Sequence, residues 1–225
     1  MLSAESTPKL AAVSRQPRAV SRRTPAVSRQ QLQTLSDIFH GRGRGNIPID
    51  HSSGHDTLTL MRRTLQVLNE LEEKGHLSRY AIGGAMGATF YVEPLLTFDL
   101  DVFVVLPQTV GGLLSLAPLY EALRARGYSE EGECVLIEGV PVQFLPAYNA
   151  LLEEALAEAR ETTYEDTPAR VLRAEHLVAI CLQTGRDKDR ERARILHAQA
   201  KLDMNYLRGV ITRHQLEARW NEWKG

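Results

Sequence analysis

Cysteine is almost missing from this sequence. Cys134 and Cys181 are its only two in 225 residues, and both stand inside apolar segments. Two isolated thiols so placed behave as small hydrophobic groups rather than as a disulfide framework, which fits a reducing, cytoplasmic setting. Long apolar runs are missing too. No stretch approaches the roughly 18 apolar residues of a membrane span, and the N-terminus lacks the apolar core of a secretory signal, so neither insertion nor export is expected. Net charge is equally scant at −1, but it conceals an asymmetry. The first 45 residues hold eight basic residues (Lys9, Arg15, Arg18, Arg22, Arg23, Arg29, Arg42, Arg44) against Glu5 and Asp37, so the remainder is acidic.

What is present is enough apolar residue, 43%, to bury a real core,. Residues 1–55 do not belong to that core. They are rich in Ser, Arg, Gln, Pro and Gly, and AVSR recurs at 12, 19 and 26 with Pro17 and Pro25 interrupting any helical seam. Disorder is expected there. Three origins stay open for this tail: a basic arm for nucleic acid, an organelle transit peptide, or a translated repeat upstream of a start at Met61. GRGRG at 41–45 is a weak RNA-contact signal, and His51 and His55 read as linker residues.

Order is expected from Asp56 or Thr57, where Leu58, Met61, Leu65, Leu68 and Leu71 recur at helical spacing up to a stop at Gly75,. A short strand, Tyr80–Ile82, leads into Gly83-Gly84, a helix-compatible stretch and a strand within 97–106. A helix from Pro118 to Arg126 and a hairpin over CVLIEGVPVQFL (134–145), turning at Glu138-Gly139, follow,. From Asn149 onward the pattern is helical. The expected class is α/β (α+β): a small mixed β-sheet core over 56–148 with flanking helices, followed by a helical domain over 149–225. His176 and His197 are expected on helix surfaces, and Trp220 with Trp223 as a packing stripe.

The chemistry concentrates in LLTFDLDVFVVLP, 95–107. On a strand Asp99 and Asp101 emerge on one face, and Leu100 on the other. At a separation of about 4 Å and an effective dielectric near 20, two such carboxylates repel by roughly 4 kcal/mol. A divalent cation reverses the sign, and Mg²⁺ is commonly held by one or two carboxylates together with substrate phosphates. Gly83 and Gly84, between a strand and a helix, let backbone amides approach an anion closely. Phosphate and cation are therefore expected side by side.

These residues, IGGAMGATF (82–90) and TFDLDVFV (97–104), resemble the signature of the polymerase-β-like nucleotidyltransferase superfamily: a glycine turn, a helix, then a (Ser/Thr)-x-Asp-x-Asp strand. Within it the chain looks most like the abortive-infection toxin-type group, because LVAICLQTG is followed by Arg186, Lys188 and Asp189 in an R-x-K-D pattern. The resemblance covers about residues 57–200. It implies transfer of a nucleoside monophosphate from a nucleoside triphosphate to a hydroxyl. Gly83, Gly84, Thr97, Arg186 and Lys188 would bind the nucleotide, Asp99 and Asp101 would hold Mg²⁺, and Lys188 would neutralise triphosphate charge as a catalytic group. Gln143 in VPVQFL stands where the superfamily places a third carboxylate. It is assigned as a metal ligand through its carbonyl, one that brings no charge. Glu138, at the hairpin turn, is the alternative carboxylate but is expected to stand too far from the strand face.

Three functions follow as expectations. The first is Mg²⁺-dependent nucleotidyl transfer to an acceptor that is RNA, protein or a small molecule, toxin-like in setting and with an antitoxin-like partner. The second is a catalytically silent relative that binds nucleotide or a partner. The third is nucleic-acid binding through the basic tail.

Overall fold

The computed structural model describes residues 55–93, 95, 97, 99–107 and 115–224. The expectations attached to the basic tail, GRGRG and His51 lie outside the described residues.

Helix α1 (His55–Glu73) forms where the apolar spacing calls for it, with Met61, Leu65, Leu68 and Leu71 all buried. Each such side chain contributes about 1.5–3 kcal/mol. Thr64 lies among them with no exposed surface, so its hydroxyl needs a partner,. It has two acceptors, the carbonyls of Leu60 at 2.9 Å and Ile137 at 3.0 Å, and the second ties the helix to the sheet. Gly75, at φ 74°, ends the helical run as the spacing required,.

Strand β1 (Arg79–Ile82) runs into the short helix α2 (Gly84–Ala88), and the chain returns along β2 (Leu100–Val105). Helix α3 (Ala117–Ala125) precedes β3 (Ser129–Glu131), β4 (Cys134–Ile137) and β5 (Val140–Pro146). The β4–β5 turn falls at Glu138 and Gly139, both with positive φ, where a tight hairpin needs them,. Helix α4 (Ala150–Ala157) starts at Asn149, whose side chain accepts from Leu152 N at 3.0 Å,. Strands β6 (Arg160–Tyr164) and β7 (Thr167–Val171) come next, and then α5 (Ala174–Thr184), α6 (Asp187–Gln199), α7 (Met204–Arg213) and α8 (Glu217–Lys224).

The strands make one seven-stranded sheet in the order β3-β4-β5-β2-β1-β7-β6. β2 is central, antiparallel to β1 and parallel to β5, and β1 meets β7 in parallel. The mixed α/β class is therefore as the sequence indicated. Both faces of β2 are covered. Leu100, Val102 and Val104 pack with α1 and α3, while Phe103 packs with Leu152, Leu177 and Leu182 of the C-terminal helices,.

One expectation is corrected. The chain from Asn149 is not helical throughout, because residues 160–171 form the β6–β7 hairpin, and that hairpin belongs to the same sheet as the core. Thr162, Tyr164, Thr167, Ala169 and Val171 are buried in alternation with exposed Glu161, Thr163 and Pro168, a period of two rather than 3.6,. His176 is likewise not on a surface but fully buried between helices, whereas His197 is exposed. Trp220 is buried and Trp223 packs partly against the same cluster, as a packing stripe should.

Candidate active site

The glycine bend and the aspartate strand touch. Gly83 N donates to the carbonyl of Asp101 at 2.9 Å, which carries the β1–β2 pairing one residue past the strand. Gly84 adopts φ 58°, and a Cβ built on it would collide with the Asp101 carboxylate. Only glycine suits both the backbone angle and the space. A Cβ on Gly83 would meet the Phe103 ring, so the bend is held against β2 over two consecutive residues.

Asp99 and Asp101 both line a cleft of about 830 Å³. Thr97, almost completely buried, donates its hydroxyl to Asp99 Oδ1 at 3.0 Å and also lies 3.2 Å from the Asp99 carbonyl. Asp101 is half-buried, and burial first, then the neighbouring Asp99 charge, pushes its carboxyl up to about 6,. Arg192, Lys188 and Arg186 oppose that rise from across the cleft. Two carboxylates so close, one of them reluctant to ionise, form a hard oxygen donor pair suited to Mg²⁺ with further oxygens from a phosphate. Among the described residues no group of three or more His, Cys, Asp or Glu converges on a metal-sized site, so an all-protein cage is not present there.

The opposite wall is the first half of α6. Arg186, Lys188, Glu191, Arg192 and Ile195 line the cleft, on one helix face from Lys188 onward,. Asp189 points the other way and is buried. It accepts from Arg186 Nε at 2.6 Å and Arg186 Nη2 at 3.2 Å, and pairs with Arg192 at 3.7 Å. The aspartate of R-x-K-D is thus an anchor that aims two guanidinium groups. Arg192 was not singled out from the sequence, although its place four residues after Lys188 is the signal that would have found it.

The floor is set by register. Parallel pairing puts Gln143 of β5 opposite Asp101 of β2. Continuing the β4–β5 register sets Cys134 beside Gln143, and Glu131 pairs with Cys134 in turn. The row Asp101, Gln143, Cys134, Glu131 crosses four strands on the cleft face. The Gln143 amide nitrogen donates to Glu133 Oε2 at 3.0 Å. Because a carboxylate only accepts, this bond fixes which end of the amide faces Glu133. Glu138 lies at the far end of the hairpin, where it accepts from the Tyr128 hydroxyl at 2.8 Å, away from the cleft. The Cys134 thiol is held above its ordinary pKa by burial and then by Asp99 and Asp101, which disfavours thiolate chemistry,.

A glycine bend seated on paired aspartates, facing a cationic helix across an open cleft, defines this as a mixed α/β protein with a candidate anion-and-cation site at the end of its central strand. No family model matches the sequence, and no curated protein matches it. Among solved structures the chain is similar to ANT(2")-Ia in complex with adenylyl-2"-tobramycin, with 18% identity, a TM-score of 0.43, and coverage of 73% of this chain and 98% of that one.

Proposed function

We propose that this protein transfers a nucleoside monophosphate from a nucleoside triphosphate to a hydroxyl acceptor. The contact between Gly84 and Asp101 carries the reading. It sets a bend with no side chains, able to admit a phosphate chain, directly against the Asp101 carboxylate, which shares its cleft with Asp99. The likeness of these motifs to the polymerase-β-like superfamily supports it further.

Asp99 and Asp101 would hold Mg²⁺, which when bound supplies charge neutralisation at the phosphates. The residues of this chain do the rest. Thr97 orients Asp99 through its hydroxyl. The Gly83 and Gly84 backbone receives the phosphates. Arg186, Lys188 and Arg192 stand across the cleft, where they favour the polyanion and the charge that develops on the departing pyrophosphate,. Positioning and electrostatics, rather than covalent catalysis, account for the rate.

The test is label transfer. Full-length protein is incubated with each α-labelled nucleoside triphosphate, Mg²⁺, and a pool of RNA, protein or small metabolites. Label should move to one pool, and Asp99→Asn and Asp101→Asn should abolish it; undiminished transfer in both variants contradicts the assignment. One observation favours a silent, nucleotide-binding relative instead: a neutral Gln143 opposite Asp101. Tight triphosphate binding with no transfer to any pool would establish that alternative. The two free thiols support a reducing cytoplasm as the setting,. A toxin-like role with an antitoxin-like partner rests on motif likeness, and growth arrest on expression that Asp99→Asn relieves is its test.

A further inference from the structure

We propose that the pocket between α6 and α8, on the far side of α6 from the cleft, binds a single strand of nucleic acid, with one base stacked on its tryptophans and the flanking phosphates against its cations. This is a separate site and does not rest on the transferase reading.

Helix α6 serves two cavities. Lys188, Glu191, Arg192 and Ile195 line the cleft, whereas Arg190, Arg194 and His197, spaced by four and then three, line a second cavity of about 260 Å³,. Trp220, Trp223 and Lys224 of α8 close its other side. At 3.6 residues per turn Arg190 lies about 200° around the helix from Lys188, so the two faces are nearly opposite.

The charge of this pocket is of one sign. Among the described residues no carboxylate lines it, in contrast with the cleft. Arg190 and Lys224 have no ion-pair partner among the described residues. Arg194 meets Glu191 at 3.8 Å with the two side chains 65% and 64% exposed, a pair too weak to compete with a phosphate,. The chain's own basic tail has the wrong sign to fill the pocket.

The aromatic rings decide which kind of anion fits. Trp220 is buried, with the His197 ring edge-on at 5.4 Å and Lys224 Nζ 5.2 Å from its centroid. Trp223 is only partly covered, and it lines the pocket beside the cations. A bare phosphate would leave the indoles unused, and an apolar ligand would leave three cations unmatched. A base flanked by phosphates satisfies both, and aromatic rings set in a cationic groove hold single strands whatever their sequence. At about 260 Å³ the cavity is smaller than the roughly 300–1,000 Å³ that encloses a whole small ligand, so it suits one unit of a longer chain,. An anionic membrane would need apolar side chains laid outward, and Trp220 is recessed,.

Trp220 and Trp223 are the only tryptophans in the chain, so indole emission reports on this pocket and not on the tail. Full-length protein is titrated with a single-stranded RNA about twelve nucleotides long. The emission should be quenched saturably. In Arg190→Gln/Arg194→Gln, where both positions are exposed, the quenching midpoint should weaken about tenfold at physiological salt,. The slope of log affinity against log salt should fall by about 1.4, because each phosphate contact on a single strand contributes about 0.7. Trp223→Leu, shown to be folded by a cooperative melt, should weaken binding about 5- to 150-fold, read from the anisotropy of end-labelled RNA. RNA binding that leaves the indole emission untouched puts the contact elsewhere and overturns the proposal. Unchanged affinity in either variant does the same. So does equally tight quenching by the duplex of the same sequence, by vesicles of anionic lipid, or by a nucleoside monophosphate, the last of which would make this a site for a free nucleotide.

Discussion

Gly84 and Asp101 cannot be changed independently. Gly84 has φ 58° and no room for a Cβ against Asp101, so Gly84→Ala meets backbone strain and a collision at once. It should cost about 1–3 kcal/mol in denaturant unfolding and abolish nucleotide binding. Asp101 itself works in the opposite direction. Its folded pKa of about 6 lies above the ordinary 3.8, so the fold holds that proton more tightly than the unfolded chain does. The associated stability is complete below pH 4, is lost as pH rises through 6, and stays lost at neutrality. Asp101→Asn should therefore melt at a higher temperature than wild type at pH 7 without a divalent cation, and Mg²⁺ should raise the melting temperature of wild type but not of the variant. A variant that melts lower would mean that Asp101 is held by a stabilising partner rather than repelled.

Helix α6 carries the cationic wall, and its aim depends on Asp189. Removing that buried carboxylate leaves Arg186 and Arg192 without their shared partner. Arg186 is largely exposed, so the cost falls below that of a fully buried pair: about 1–3 kcal/mol for Asp189→Ala, together with a higher KM for triphosphate,. The sequence disclosed this element unevenly. Lys188 was legible because a motif named it, and Arg186 likewise. Asp189 was legible only as part of the pattern, since nothing in a string of charges tells which one is buried. Arg192 lay within reach of a helical-face argument. The Gln143–Glu133 hydrogen bond did not, because a turn residue's direction depends on the register of β4 against β5, which is tertiary information. The Asp99–Asp101 pair and Gly83-Gly84 were legible because a two-residue period and a missing side chain are local facts.

At the scale of the whole chain, the two halves are not separable. β7 pairs with β1, the strand that ends in the glycine bend, and Leu172 N donates to the Ile82 carbonyl at 2.9 Å. The alternation in 160–171 signalled those strands, but the strong helical segments around it drew the reading toward an all-helical half. A chain truncated after Ala157 should fail to fold, as judged by loss of a cooperative melt. Glu154 binds the C-terminal helices to one another, pairing with His176 of α5, Arg213 of α7 and His214 just beyond it. Hydrogen bonds from Arg213 foremost hold its carboxyl down at about 2, from an ordinary 4.5. The stability it gives is present above pH 4.5 and lost as pH falls toward 2. Acid titration should show the wild type losing stability across that window, and Glu154→Gln, less stable at neutrality, should lose less there.

The most direct measurement is anomalous diffraction from crystals holding Mn²⁺, a surrogate for Mg²⁺, with a non-hydrolysable nucleoside triphosphate. The account predicts a Mn²⁺ peak about 2.0–2.2 Å from carboxylate oxygens of both Asp99 and Asp101, with the phosphates resting on Gly83 and Gly84 and facing Lys188. A peak bound elsewhere, or phosphates seated away from the glycine bend, would contradict it.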